Sequence, residues 1–165
     1  MIDQNETLKH IAIMKQLIGE TIYSISNSQY YFNGEIDHED IGDLEIQTDS
    51  GVKVCLTLLG DGESVGAYVG SLNIPASFEV VDGETTSWRK LSILNSYDIC
   101  GNRIVAVQSM CERSTKLESS YRAGWRVYMS GGDYFVFYNC GDNSRLFYNE
   151  EPSLIQGFVT TWNSI

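Results

Sequence analysis

Two histidines, four cysteines and one dense run of carboxylates are the residues whose chemistry this chain could put to use. A general base or a nucleophile acts only when held within hydrogen-bond reach of its partners. His10 and His38 lie in no recognisable catalytic spacing: the chain has no G-x-S-x-G elbow, no H-E-x-x-H pair and no Walker loop. Gly60-Asp61-Gly62 reads as a turn, not a phosphate cradle. Cys55, Cys100, Cys111 and Cys140 include no C-x-x-C gap, and two histidines give little help toward a tetrahedral zinc set. The thiols read as reduced, partly buried side chains of a cytoplasmic protein, although spacing alone does not say which cysteines could pair. These residues predict no catalytic centre, no cofactor and no metal site, and so a chain that binds and does not catalyse.

The carboxylates are more informative. Glu35, Asp37, Glu39, Asp40, Asp43 and Glu45 fall within eleven residues that contain no Lys or Arg. Such a run repels phosphate and anionic lipid, which excludes nucleic acid and membrane as direct partners, and it attracts cations. A calcium loop would need the D-x-[DN]-x-[DN]-G order, which is absent. The charge is also one-sided. Residues 1–82 hold fourteen acids and three bases, while residues 83–165 hold eight of each, so the whole net charge of −11 belongs to the first half. Tyr30 and Tyr31 stand just before the acidic run. Adjacent residues of a strand face opposite ways, so of Tyr30, Tyr31 and Phe32 at least one faces out, and tyrosine is favoured at interface hot spots. The candidate partner-binding residues are therefore Glu35, Asp37, Glu39, Asp40, Asp43, Glu45, Tyr30 and Tyr31. A solvated acidic loop that only keeps the protein soluble is the plainer alternative.

The elements that must position these residues follow from periodicity. Leu8, Ile11, Ala12 and Ile18 recur at helical spacing, with Met14 and Leu17 at the edges, Asp3 or Asn5 as cap and Gly19 as stop. After Gly19 the period changes to 2. Leu44, Ile46 and Thr48, a turn at residues 49–51, and Val52, Val54, Leu56 and Leu58 form a hairpin. Trp125, Val127 and Met129, a turn at residues 130–132, then Phe135 and Phe137 form a second. Both end in Gly-Asp, and a constant offset of 81 residues relates Ile46 to Val127, Gly51 to Gly132, Val54 to Phe135 and Asp61 to Asp142. This is the pattern of an internal repeat, residues 43–63 and 124–144, though any two Gly-turn hairpins share much of it. Further strands are expected at 21–25, 29–32, 65–69, 77–81, 103–110 and 145–148, and residues 152–162 read as a short helix or a last strand. The expectation is one domain over residues 1–165 of the α+β class, mainly β: an N-terminal helix on a twisted antiparallel sheet, sandwich or partly open barrel, with two related hairpin units. No cationic leader and no long apolar run is evident, which also favours the cytoplasm.

The hairpin at 43–59 with its Gly60-Asp61 ending, the stretch from Trp125 through Gly141-Asp142, and the acidic bias together resemble the small acidic immunity proteins of bacterial contact-dependent inhibition and polymorphic toxin systems. That resemblance implies a cytoplasmic binding protein that neutralises one cognate toxin domain, often a basic nuclease, by occluding it. A small-molecule-binding β-domain, with the aromatic-rich second half lining a cavity, is the alternative.

Overall fold

In a computed structural model, which describes residues 4–93, 98–116, 119–153 and 155–165, the alternating pattern after Gly19 closes into two antiparallel sheets. The first half contributes β1 (Ile22–Phe32), β2 (Glu35–Ile36), β3 (Leu44–Thr48), β4 (Lys53–Leu58), β5 (Val65–Val69), β6 (Phe78–Glu79) and β7 (Thr85–Ser92). These form a sheet in the order β5-β4-β3-β1-β7-β6, with β2 added to the end of β1. The second half contributes β8 (Ile104–Ser114), β9 (Ser120–Met129), β10 (Tyr134–Asn139), β11 (Ser144–Tyr148) and β12 (Phe158–Ser164), in the order β11-β10-β9-β8-β12. Residues 158–164 are thus a strand, and the two strands expected at 21–25 and 29–32 are one long β1. The strands β2 and β7 were not foreseen.

The halves share one winding. Each makes a four-strand meander, β1-β3-β4-β5 or β8-β9-β10-β11, and then returns a strand, β7 or β12, to the open side of the first. The two central hairpins agree in register. Leu44 lies opposite Leu56 and Ile46 opposite Val54; Trp125 lies opposite Phe137 and Val127 opposite Phe135. Gly51 and Gly132 both adopt φ of 90°, a left-handed conformation that glycine takes without steric cost. At the same place on the outer face of each hairpin sits a buried charge of opposite sign. Glu45 is paired with Lys90 at 2.8 Å, and Arg126 is paired with Glu151.

One buried cluster fills the space between the sheets. Ile22, Ile25, Leu44, Ile46, Val54 and Leu56 from the first meet Ile104, Val107, Trp125, Val127, Phe135 and Phe137 from the second. The aromatic residues of the second half that a ligand cavity would need are therefore core: Trp125, Phe135 and Phe137 have no exposed surface. The helix α1 (Gln4–Lys15) closes one side. Its buried face is His10, Ile13 and Met14, continued by Leu17 in the turn that follows, whereas Leu8 is 63% exposed and Ile18 also faces solvent. The expected face was rotated because the apolar residues ring most of the helix, and the choice was made by where β5 lies. Asp3 falls outside the described residues.

That choice is decided by hydrogen bonding. β5 and β11 end their sheets, and each presents backbone groups that no neighbouring strand satisfies. On β5 the outward groups belong to Val65, Ala67 and Val69. The His10 ring Nδ1 lies 3.1 Å from Ala67 N and 2.8 Å from Ala67 O, so either neutral tautomer finds a partner there. The Arg122 guanidinium donates to Val65 O at 3.3 Å and to Thr7 O at 3.4 Å, tying edge strand, helix and second sheet together. Burial lowers the pKa of Arg122, and its guanidinium stacks 4.6 Å from the Trp125 ring. The His10→Ala variant leaves the Ala67 groups buried and unpaired. It should lose about 1–3 kcal/mol of stability in urea titration, more than an exposed Leu8→Ala in the same helix.

Candidate partner-binding site

The acidic run is a strap that guards the other edge. Its backbone is held to the inner side of β1 by two buried amides: Asn27 Nδ2 donates to Ile41 O at 2.8 Å, and Gln29 Nε2 donates to Asp37 O and Asp40 O, each at 2.7 Å. The strap then reaches β11. Ile41 N donates to Ser144 O at 3.0 Å, while Ser144 N and Ser144 Oγ both donate to Asp40 Oδ1 at 3.1 Å. Arg145 pairs with Glu39. Gly42, at φ 67°, passes so close to β1 that a Cβ there would lie 2.1 Å from Ser28 O, so both its conformation and its contact demand glycine.

The six carboxylates consequently face different ways. Asp40 is consumed in the β11 contact, and Asp37 Oδ1 accepts from Glu39 N at 2.8 Å. Asp43 lies beside Thr57 on the outer face of the first sheet; burial, aided by the Asp40 charge and opposed by the Thr57 hydrogen bond, raises its pKa. Glu45, 1% exposed, is driven up by burial, but Lys90 and the Leu72 N–H, which donates to it at 2.8 Å, outweigh that and hold it below the usual carboxylate range. Only Glu35 and Glu39 keep strongly exposed carboxylates. His38, Glu39, Ile41, Ile93, Arg145 and Glu150 are among the residues around an open groove of about 330 Å³ beside the strap. No group of three or more His, Cys, Asp or Glu suited to a metal ion occurs among the described residues. The four cysteines are unpaired, and burial pushes the Cys55 and Cys140 thiols up to about 11, which keeps them protonated at neutral pH.

Tyr30 leads to a different surface. Beyond the core, β1 runs on into a hairpin with β2, and β6 and β7 form another beside it. Both turns have two central residues at positive φ: Asn33 and Gly34 at 49° and 80°, Asp82 and Gly83 at 59° and 81°. That is the type I′ geometry that suits the twist of a hairpin and selects Asn-Gly and Asp-Gly. The tips are bound together, Asn33 N donating to Thr85 O and Thr85 N to Asn33 Oδ1, both at 2.8 Å. On the face they share, the Tyr30 and Trp88 rings are 5.4 Å apart and Trp88 and Phe78 5.8 Å. Phe32, Phe78, Val80 and Val81 are exposed, Phe78 by 55% and Val81 by 65%. Glu35, Glu79, Asp82 and Glu84 on the same hairpins are exposed, Glu79 on the reverse face. Residues 54–88 contain no Lys or Arg; Arg89 stacks over Tyr31 on the reverse face, 4.7 Å from its ring, and Lys90 is committed to Glu45. Of the residues expected from sequence, Tyr30 and Glu35 stand at this surface and Tyr31 does not. Trp88, Phe78 and the acids of the β6–β7 hairpin were missed, although Asn33-Gly34 and Asp82-Gly83 are the signals that would have found both hairpins.

The outer face of the second sheet offers a contrast. Glu112, 1% exposed, accepts from Tyr121 and Tyr138 at 2.9 and 3.0 Å. Arg126 stacks 3.6 Å from the Trp162 ring. Those aromatic and charged groups satisfy one another, whereas the rings at the hairpin tips end in solvent. Comparison with known proteins finds no matching family model, no matching curated protein and no matching solved structure.

Two variants separate the strap's structural role from a binding role. Gly42→Ala should destabilise the fold by about 3 kcal/mol or more in denaturant titration, from a strained φ and a backbone clash combined. Asp43→Asn should act the other way at neutral pH. Because the folded pKa of Asp43 lies above its unfolded value, the folded chain keeps this proton where the unfolded chain has lost it, and the charged form subtracts from stability as pH rises through that range. The variant should therefore have the higher urea midpoint at pH 7, and the gap should close near pH ~3, where Asp43 is protonated in both states.

Proposed function

We propose that this chain is a binding protein of the inhibitor type, one that neutralises a basic protein partner such as a cognate bacterial toxin domain by occluding it with the hairpin-tip surface. The observation that carries this reading is the apolar face of the hairpin tips, where exposed Phe32 and Phe78 stand with the half-buried rings of Tyr30 and Trp88, while the exposed acids Glu35, Asp82 and Glu84 lie on the same hairpins and residues 54–88 hold no base. Soluble proteins seldom leave joined aromatic side chains in water without use, and a polar rim around an apolar centre is the anatomy of a docking surface. The rim's charge selects the partner. It speeds the approach of a cationic surface and rejects nucleic acid and anionic membranes. The rings then supply the contact area that holds the complex, as tyrosine and tryptophan do at hot spots. No helix among the described residues is long and apolar enough to cross a membrane.

The roles of rim and centre can be told apart kinetically. With the partner isolated from the native host at low salt, Trp88→Ala should weaken binding by about 30-fold or more, chiefly through faster dissociation. The charge reversal Glu35→Lys with Glu84→Lys should slow association about tenfold at low salt and much less at high salt. If both variants bind with wild-type rate constants in surface-plasmon or stopped-flow measurements, the hairpin tips are not the interface.

A further inference from the structure

We propose that β12 is a self-association edge, through which two copies of the chain pair their second sheets antiparallel about a two-fold axis. The four sheet edges are treated unequally. His10 and Arg122 bond the outward groups of Ala67 and Val65 on β5, and Asp40 and Ile41 bond Ser144, the first residue of β11. The two-residue β6 takes up part of the outer edge of β7. β12 has none of these protections. Gly157 O accepts from Thr115 N at 2.9 Å and Ile165 N donates to Val107 O at 3.2 Å, so the odd-numbered residues of this strand bond to β8. The N–H and C=O groups of Thr160, Trp162 and Ser164 therefore point away from it, and no described residue bonds them. Residues 153–165 contain neither a charged side chain nor a proline.

A second copy is the occupant that the charge distribution favours. The net charge of −11 lies wholly in residues 1–82, and residues 83–165 sum to zero. Two copies joined at β12 bring their neutral halves together and hold their acidic halves apart. Val159, 45% exposed on β12, gains a neighbour across the joint. An isologous pairing uses the same edge of each copy and closes at the dimer. It leaves the hairpin tips of the first sheet free, so it is independent of the partner-binding reading, and salt tells them apart. High salt screens repulsion between acidic halves and strengthens the self-pairing, while it weakens capture of a basic partner.

Sedimentation velocity on the full chain, over concentrations from ~1 to ~500 µM at low and high salt, tests this directly. The expected result is a shift with concentration from 18.5 kDa to twice that mass, favoured by salt. Thr160→Pro removes an outward donor while sparing the bonds to β8 and should weaken the dimer by at least ~30-fold. Asn163→Lys, which places like charges across the axis at an exposed position, should do the same with an unchanged circular dichroism spectrum, and it decides the matter if the proline variant does not fold. A chain that stays monomeric throughout, a dimer indifferent to Asn163→Lys, or assembly beyond the dimer would each overturn the proposal.

Discussion

The backbone of a sheet's last strand must find hydrogen-bond partners, and this requirement organises the molecule. A two-sheet core could be built from these strands without the helix or the strap, but β5 and β11 would then end in unpaired peptide groups. Each edge is instead met at particular residues by a side chain or segment drawn from elsewhere in sequence. His10 and Arg122 reach Ala67 and Val65, and Asp40 and Ile41 reach Ser144. Because Arg122 belongs to the second sheet and Asp40 to the first half, these same contacts lock the two sheets to each other. Edge closure and sheet-to-sheet assembly are one set of interactions.

The acidic run shows how composition and role can diverge. Six carboxylates without a base look like a surface built for charge, yet Asp40, Asp43 and Glu45 have moved inward, where they bond a backbone, tolerate burial or pair with Lys90. The acidic field survives this, since Glu35, Glu79, Asp82 and Glu84 remain in water at the hairpin tips. What the fold transfers is the place where that field meets apolar surface. It lies at the paired hairpin tips and not along the strap.

Much of the architecture was legible because its signals are local. Strict alternation marked β3, β4, β9 and β10 with their register, and positions related by the 81-residue offset take matching places in the two central hairpins. The helix was legible but its buried face was not, since that depends on where an edge strand 57 residues away needs a hydrogen-bond partner. The short β6 and the charge-bearing β7 show little alternation, and their turn chemistry, Asp82-Gly83, was the signal to weigh more heavily. Trp88 joins Tyr30 only once β7 has crossed back beside β1, a non-local event that no window of sequence displays. Of the candidate surface, one aromatic and one acid were readable, and the remainder awaited topology.

The opposed charges of Glu45 and Arg126 bear on how such a chain reaches its native pairing. Two halves with the same winding invite exchange, in which a hairpin from one half, or from a neighbouring molecule, inserts where its counterpart belongs. With the β3–β4 hairpin in the wrong half, the Glu45 carboxylate would face Glu151. With β9–β10 in its stead, Arg126 would meet Lys90. Either error sets a buried charge against one of like sign, and both are corrected by returning each hairpin to its own sheet. A single inverted pair thus lets a chain with near-twin halves tell left from right as it folds.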